Sequence, residues 1–134
     1  MIVLDANVLI ALFDPGHVHH RQAERLLRAR AEEAKAVSVL TMAEFLVHPA
    51  ARGSIDEAVR SVALIEVDVL PLPAPDAAPL ARVRASSGLK MPDAVVLHAA
   101  QTAHGSVMTF DQDLARAATR LGLTVLGPPE GLDD

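Results

Sequence analysis

The sequence predicts an α/β domain in which a parallel β-sheet carries helices on both faces. Short apolar runs, each long enough for one strand, alternate along the 134 residues with segments whose apolar positions recur at helical spacing. The first run is apolar at almost every position, as in a strand buried on both faces of a parallel sheet. Strands that alternate with helices are joined by right-handed crossovers and therefore run parallel. With 51% hydrophobic residues, the chain suffices for one core but is too short for two.

In the first half of the chain, amphipathic helices separate the expected strands. The first strand begins at Ile2 and turns directly into a short helix, residues 6–13, which stops at the turn signal Asp14-Pro15-Gly16. The elements expected next are a surface helix over 17–34, a strand over 36–40, a helix opened by Thr41 and ended by Pro49, a helix over 54–65 and a strand over 67–72.

In the second half, proline and glycine mark the boundaries. Residues 71–79 contain four prolines, which predicts a connector rather than a helix. The elements expected after it are a helix from Leu80 to Gly88, a helix over 93–104 preceded by Pro92 and terminated by Gly105, a strand over 106–110, a helix over 111–121 closed by Gly122 and a strand over 123–126. Residues 1–127 are expected to form the domain and residues 128–134 a C-terminal tail.

Composition excludes several classes of function. The chain has no cysteine, and therefore no disulfide, thiolate metal site or cysteine nucleophile. It has no basic leader and no apolar run of about 18 residues, so we expect a cytoplasmic protein without a membrane anchor. The net charge of −5 is unusual for a nucleic-acid binder, but two divalent cations would reduce it to about −1. An aromatic content of 2%, without Trp or Tyr, argues against base stacking on aromatic platforms.

Four carboxylates are expected at one edge of the sheet. Asp5 interrupts the first apolar run, where a buried charge is costly unless a counter-charge meets it. Glu44, Asp93 and Asp111 each fall near the start of a predicted helix. Because parallel strands end, and the following helices begin, on the same side of a sheet, these acids are expected to share the edge where open α/β sheets bind ligands.

Each of the later acids also has a purely structural explanation. Glu44 lies three residues after Thr41 in the pattern of a capping box. Asp93 would be favoured near a helix start by the helix dipole, and Asp111 could be an ordinary N-cap. Ser54-x-x-Glu57 has the same capping pattern, and we assign it only that structural role.

If the acids do converge, a hard cation is the natural partner. Like charges about 4 Å apart repel by roughly 4 kcal/mol at an effective dielectric of 20, which a cation would relieve. Oxygen ligands without cysteine favour Mg²⁺ or Mn²⁺. Such a site activates water and stabilises charge on a phosphodiester, so the predicted chemistry is phosphodiester hydrolysis.

The chain resembles the PIN-domain nucleases, and among them the VapC-type toxins of toxin–antitoxin pairs. The matching segments are Leu4-Asp5-Ala6-Asn7-Val8-Leu9, Ala43-Glu44-Phe45, Pro92-Asp93-Ala94 and Thr109-Phe110-Asp111. The resemblance implies a five-stranded parallel sheet in a three-layer α/β/α sandwich, a homodimer and magnesium-dependent endoribonuclease activity. It also implies metal binding, and hence catalysis, by the four acids Asp5, Glu44, Asp93 and Asp111.

The resemblance further implies supporting residues and a protein partner. Asn7 and Thr109 would hydrogen-bond the acids or their waters. Many relatives carry another acid five residues after the threonine, where this chain has Leu114, so Asp113 could share or replace the role of Asp111. An antitoxin segment would cover an apolar groove, for which helices 6–13 and 41–47 are candidates, although the same residues could form core.

Other functions fit less well. A receiver-like signalling domain would need paired acids after the first strand and a lysine after the last. A haloacid-dehalogenase-type phosphatase needs Asp-x-Asp where this chain has Asn7, and no Gly-x-Gly-x-x-Gly supports dinucleotide binding. A catalytically idle PIN relative that binds protein stays an alternative. His17-x-His19-His20 lacks a further zinc ligand at a familiar spacing, and His98 is expected to be packed rather than catalytic.

Overall fold

A computed structural model describes residues 1–127, and the predicted tail, 128–134, lies outside them. The strands are β1 (Ile2–Leu4), β2 (Lys35–Ser38), β3 (Val67–Leu70), β4 (Ser106–Met108) and β5 (Val125–Leu126). The helices of the described residues are α1 (Ala6–Leu12), α2 (His20–Ala29), α3 (Val39–Ala51), α4 (Ile55–Leu64), α5 (Ala77–Ser87), α6 (Met91–Thr102) and α7 (Gln112–Arg120), with one turn of 3₁₀ helix at Ala74–Asp76. All strand pairs are parallel, which confirms the predicted fold class.

The strand order places the carboxyl end of β1 at the topological switch point of the sheet. The order is β3-β2-β1-β4-β5, so the chain builds outward from β1 on one side and then crosses to build outward on the other. Ile2 lies opposite Lys35 of β2 and Ser106 of β4. Open α/β sheets bind ligands where the winding direction reverses, here between the ends of β1 and β4. Receiver domains have the order 2-1-3-4-5, so this topology excludes the receiver alternative.

Alternating residues of β1 divide the core into two layers. Ile2 and Leu4 pack on the face covered by α1 to α4, whereas Val3 packs on the face covered by α6 and α7. All three side chains are fully buried, as is Met108 at the end of β4. Burial on both faces explains why the strand sequence is continuously apolar, and it holds the end of β1 rigidly between the layers.

The helix predicted over 17–34 is shorter at both ends than expected. It begins at His20, because residues 14–19 form a turn with hydrogen bonds from His17 N to Asp14 O and from His20 N to His17 O. It ends at Ala29, and a turn follows in which Lys35 Nζ donates to the carbonyls of Arg30 (2.6 Å) and Glu33 (2.9 Å). These side chain–backbone bonds have no periodic signal in the sequence.

Two predicted boundaries of α3 are wrong. The helix begins at Val39 with Ser38 as N-cap, rather than at Thr41, so β2 ends at Ser38 and not at residue 40. It continues through the buried Pro49 to Ala51. A proline in the last turn removes only one of the few remaining helical bonds, so the helix continues past it. The rule that proline ends a helix interior does not distinguish this last-turn position.

The proline-rich connector is also partly helical. A 3₁₀ turn occupies Ala74–Asp76, and Pro79 lies in the first turn of α5, where its missing N–H has no helical partner to lose. Pro92 is likewise the second residue of α6, which begins at Met91. The strands β3, β4 and β5 are each shorter than predicted, since apolar residues beyond them pack in loops. No helix among residues 1–127 is long and apolar enough to cross a membrane.

Candidate active site

Asp5 is buried between the end of β1 and the start of α1. Its side chain is 7% exposed, and its backbone N–H donates to Met108 O at 2.9 Å. Oδ1 accepts a hydrogen bond from Ala6 N at 2.7 Å, which caps α1, and Oδ2 accepts one from Thr109 Oγ1 at 2.7 Å. The strand residues around Asp5 fix its backbone, and these two bonds fix both carboxylate oxygens.

Burial raises the pKa of Asp5 to about 6. The hydrogen bond from Thr109 opposes this rise and the charge of Asp93 adds to it. The hydrogen bond from Ala6 lowers the pKa and the charge of Asp111 raises it, both to a smaller extent. The carboxyl is thus held as an ion by two donors against burial and two negative neighbours, a balance that a nearby cation would shift toward the ionised form.

The loop after β4 is tied to Asp5 by side-chain hydrogen bonds. Thr109 is 3% exposed, and its Oγ1 accepts from Asp111 N at 3.0 Å while donating to Asp5. Asn7 Oδ1 accepts from Phe110 N at 3.4 Å. Residues that are 104 positions apart in the sequence therefore form one network at the switch point.

Asp111 is the N-cap of α7. Its Oδ1 accepts from the backbone N–H groups of Asp113 (2.8 Å) and Leu114 (3.2 Å). Asp111 is therefore an N-cap, as its structural explanation predicted. The two capping bonds use only one of its carboxylate oxygens, Oδ1. The charge of Asp111 also raises the pKa values of both Asp5 and Asp93, which places this acid within electrostatic reach of the same edge.

Asp93 and Glu44 approach from the two faces of the sheet. Asp93 lies in the first turn of α6, and burial, Asp111 and Asp113 raise its pKa while Lys90 lowers it. Glu44 is exposed on α3, and burial and the charge of Asp93 raise its pKa. Asp93 is therefore the acid that links Glu44 with the Asp5–Asp111 pair.

The four acids share an edge without forming a closed cluster. Within residues 1–127, no three His, Asp or Glu side chains stand close enough together to be ready-made ligands of one ion. The charge of Asp93 raises the pKa values of both Glu44 and Asp5, and that of Asp111 raises those of Asp5 and Asp93, so we call the four acids, with Asp93 as the shared neighbour, the acidic row. The sequence predicted the shared edge but not this spread.

The capping explanation for Glu44 is wrong. Because Ser38 is the N-cap of α3, the third helical position is Thr41, and Glu44 lies one turn further along. Its carboxylate is thus not needed to complete the helix start. Thr41 is 1% exposed, and its Oγ1 has no hydrogen-bond partner in the described part of the chain.

Asp113 differs from Asp111 in its surroundings. Its side chain is 76% exposed and pairs with Arg116 on the next turn of α7. Among the four acids of the row, its charge raises the pKa of Asp93, where it is the smallest of the causes. Asp113 thus stands at the outer margin of the acidic row.

Several polar residues outside the row have local partners. His98 is 6% exposed, and its Nε2 lies 2.9 Å from Asp76 Oδ2, which ties α6 to the turn before α5. Asp76 could not be predicted as this partner, because the two residues are 22 positions apart and no local pattern pairs them. His20 Nδ1 lies 2.8 Å from Ala11 O, and the ring of His19 stacks on Phe110 with centroids 4.7 Å apart. The three histidines of the His17-x-His19-His20 segment do not form a metal cluster.

A groove of about 410 Å³ lies between α1, α3 and α4. Apolar side chains of the two segments named as candidates line it, with Ile10 from α1, Phe13 from the residue after α1 and Phe45 from α3. The two phenylalanine rings are 5.7 Å apart and also pack against the core. Around them stand charged and polar groups: Asp14, His48, Arg52, Ser54, Glu57 and Ser61.

Three solved structures similar to this chain come from toxin–antitoxin systems. A toxin–antitoxin complex from Klebsiella pneumoniae is 26% identical, with a TM-score of 0.69 and coverage of 84% of this chain and 88% of that one. VapC20 of Mycobacterium tuberculosis, a sarcin–ricin loop cleaving toxin, is 18% identical, with a TM-score of 0.74 and coverage of 96% and 100%. VapBC2 of Rickettsia felis, bound to a DNA fragment from its promoter, is 13% identical, with a TM-score of 0.72 and coverage of 94% and 98%. The latter two likenesses concern the fold alone.

The family assignment rests on the sequence as well as on the fold. No curated protein matches the chain significantly. The family model of the PIN domain, however, matches residues 2–120, a range that contains β1 and all four acids of the row. The chain is therefore a member of the PIN domain family.

Proposed function

We propose that this protein is a Mg²⁺- or Mn²⁺-dependent endoribonuclease and the toxin of a toxin–antitoxin pair. The observation that carries the proposal is the buried Asp5 carboxylate, which is held at the switch point of a PIN domain beside two further negative charges. A buried acid in such surroundings is costly for the fold unless it serves a ligand of opposite charge. The similar toxins among the solved structures support the assignment.

The donor set fits a hard divalent cation. All four acids offer oxygen, and three of them have raised pKa values from burial and from each other's charge, which a cation would reverse. Mg²⁺ keeps several waters when bound, so acids that did not contact the ion directly could still bind its waters. We assign metal binding to Asp5, Asp93, Glu44 and Asp111. When bound, such an ion supplies Lewis-acid chemistry that activates water and neutralises charge on the phosphodiester.

The supporting residues keep the acids ionised and oriented. Thr109 donates to Asp5 and accepts from Asp111 N, so one hydroxyl aligns acids from two strands. Asn7 binds the intervening backbone at Phe110 and holds the loop against α1. Asp113, exposed and paired with Arg116, would add negative charge at the margin rather than a ligand.

The partners follow from the same assignment. We propose that a cognate antitoxin docks a segment in the groove between α1, α3 and α4, whose apolar floor and charged rim suit an amphipathic peptide. We further propose a homodimer, as the resemblance implies, and a cytoplasmic location, where a ribonuclease toxin meets its substrate. The catalytically idle alternative differs from this proposal in one property, cleavage.

A cleavage assay tests the function. Purified protein is incubated with pooled cellular RNA in Mg²⁺, Mn²⁺ or chelator, and the cut ends are mapped. We expect defined cuts with either metal, none with chelator and none with Asp5→Asn, whereas Glu57→Gln, on the exposed surface of α4, should cut like the wild type. Cleavage retained by pure Asp5→Asn protein would refute the site, and wild-type protein without activity in any metal would favour the idle alternative.

A further inference from the structure

A row of three rings extends from the acidic edge. The imidazole of His19 stacks on Phe110, with centroids 4.7 Å apart and planes 17° apart. The ring of His17 follows, 5.7 Å from that of His19 and tilted by 40°. All three residues are half-buried. We call these residues, Phe110, His19 and His17, the ring platform.

The ring platform is fixed to the loop after β4, which carries Asp111. Phe110 lies between Thr109 and Asp111, and its N–H donates to Asn7 Oδ1. On the other side, His20 Nδ1 lies 2.8 Å from Ala11 O, which anchors the start of α2 to the end of α1. Phe110 is thus next in sequence to the proposed metal ligand Asp111, and His19 is joined to it by the ring stack.

Local hydrogen bonds orient the imidazoles without using all their polar atoms. His19 Nδ1 lies 2.7 Å from Gln22 Oε1 and donates to it, which leaves Nε2 for a ligand. His17 Nδ1 accepts from the backbone N–H of His19 at 3.0 Å, which fixes the tautomer of His17 with its proton on Nε2. Each imidazole therefore keeps one nitrogen that these bonds do not use, at the ring edge where an unpaired base can be hydrogen-bonded.

We propose that the ring platform binds an unpaired base of the RNA substrate beside the cleaved bond, with His19 as the middle ring that joins Phe110 to His17. This inference rests on the proposed ribonuclease function and names how that site holds its strand. A chain of net charge −5 with an acidic site has little electrostatic attraction for a phosphate backbone. Stacking supplies affinity that does not depend on charge, because every base has a π-face. The aromatic content of 2% did not predict the platform, because that percentage counts Phe, Trp and Tyr but not histidine.

RNA affinity, measured without cleavage, tests the platform. The dissociation constant of a short fluorescent single-stranded RNA is measured by anisotropy in chelator, for the wild type, His19→Ala, His19→Phe and His104→Asn. We expect His19→Ala to weaken binding about tenfold, the effect of losing one base stack. His19→Phe, which keeps a flat ring on Phe110, should bind nearly as the wild type does. His104, beyond α6 at the opposite edge of the sheet, is the matched control, and Asn tolerates its positive φ of 52°.

The outcomes separate this inference from the proposed function. Thermal melts establish that each variant is folded, and a role confined to packing would lower the melting temperature of His19→Ala without changing the affinity of the folded protein. Unchanged affinity of His19→Ala in a wild type that cuts RNA overturns the platform alone, and so does equal weakening in His19→Ala and His19→Phe. A wild type that neither cuts nor binds RNA overturns both proposals.

Discussion

Replacing Asp5 by asparagine should stabilise the metal-free protein near neutral pH while abolishing cleavage. The folded protein holds this carboxyl at a pKa of about 6, against an ordinary value of 3.8. At pH 7 the fold must therefore ionise a buried acid whose neighbours, Asp93 and Asp111, are also negative. Asparagine has nearly the same shape and carries no charge, and its Oδ1 can still accept from Ala6 N and cap α1.

The size of the effect follows from the two pKa values. The difference between 3.8 and about 6 corresponds to about 3 kcal/mol of unfolding free energy at neutral pH. Asparagine loses the charge-assisted bond from Thr109, which offsets this by about 1 kcal/mol. The net gain of about 2 kcal/mol corresponds to a rise of roughly 5–10 °C in melting temperature for a domain of this size.

The raised pKa of Asp5 also determines how the stability difference between Asp5→Asn and the wild type should change with pH. Because the pKa is higher in the folded state, the wild type keeps the full contribution of Asp5 below about pH 4 and loses it as the pH rises through about 6. The advantage of Asp5→Asn should therefore be absent below pH 4, grow between pH 4 and 6 and stay constant above. Urea unfolding in chelator across this range measures it, with Glu57→Gln as a control that should follow the wild type. A variant less stable than the wild type at pH 7, or a difference independent of pH, would refute the reasoning.

Three further variants test the support of Asp5, a buried hydroxyl of α3 and the choice between Asp111 and Asp113. Thr109→Val removes the hydrogen-bond donor to Asp5 and so raises the pKa of Asp5 further. We therefore expect cleavage at pH 7 to fall at least about tenfold and to recover partly at higher pH in a pH–rate profile. A profile with the same shape as that of the wild type would contradict this role of Thr109. Thr41→Val removes a buried hydroxyl without a described partner and should add about 1 kcal/mol in urea unfolding, whereas a loss would mean that the hydroxyl is satisfied by water. Asp113→Asn should leave the cleavage rate nearly unchanged, and a defect as large as that of Asp111→Asn would make Asp113 the fourth acid.

The sequence was sufficient to predict the fold class and the edge of the sheet at which the four acids were expected. Asp5 stood out because a charge in a continuously apolar strand has few structural explanations, and the strand proves fully buried around it. The shared edge followed from the rule that parallel strands end on one side of the sheet. Neither inference required knowledge of strand order.

What the sequence could not give depends on contacts between distant segments. The bond from Thr109 to Asp5 exists because β4 lies next to β1, and no local pattern fixes that adjacency. The N-cap of α3 was misplaced because Ser38 and Thr41 are both good caps, and only packing decides between them. The stack of His19 on Phe110 likewise joins two loops 91 residues apart. Local propensity therefore predicts elements, whereas strand adjacency and packing decide the site.

The most direct test of the central claim is a titration of Mn²⁺ into metal-free wild type, Asp93→Asn and Glu57→Gln, followed by calorimetry. We expect the wild type and Glu57→Gln to bind Mn²⁺ alike. We expect Asp93→Asn, which removes the acid shared by the others of the row, to bind roughly a hundredfold more weakly, since one charge near the ion contributes several kcal/mol. Equal binding by Asp93→Asn, or no binding by the wild type, would contradict the claim that these acids form one cation site.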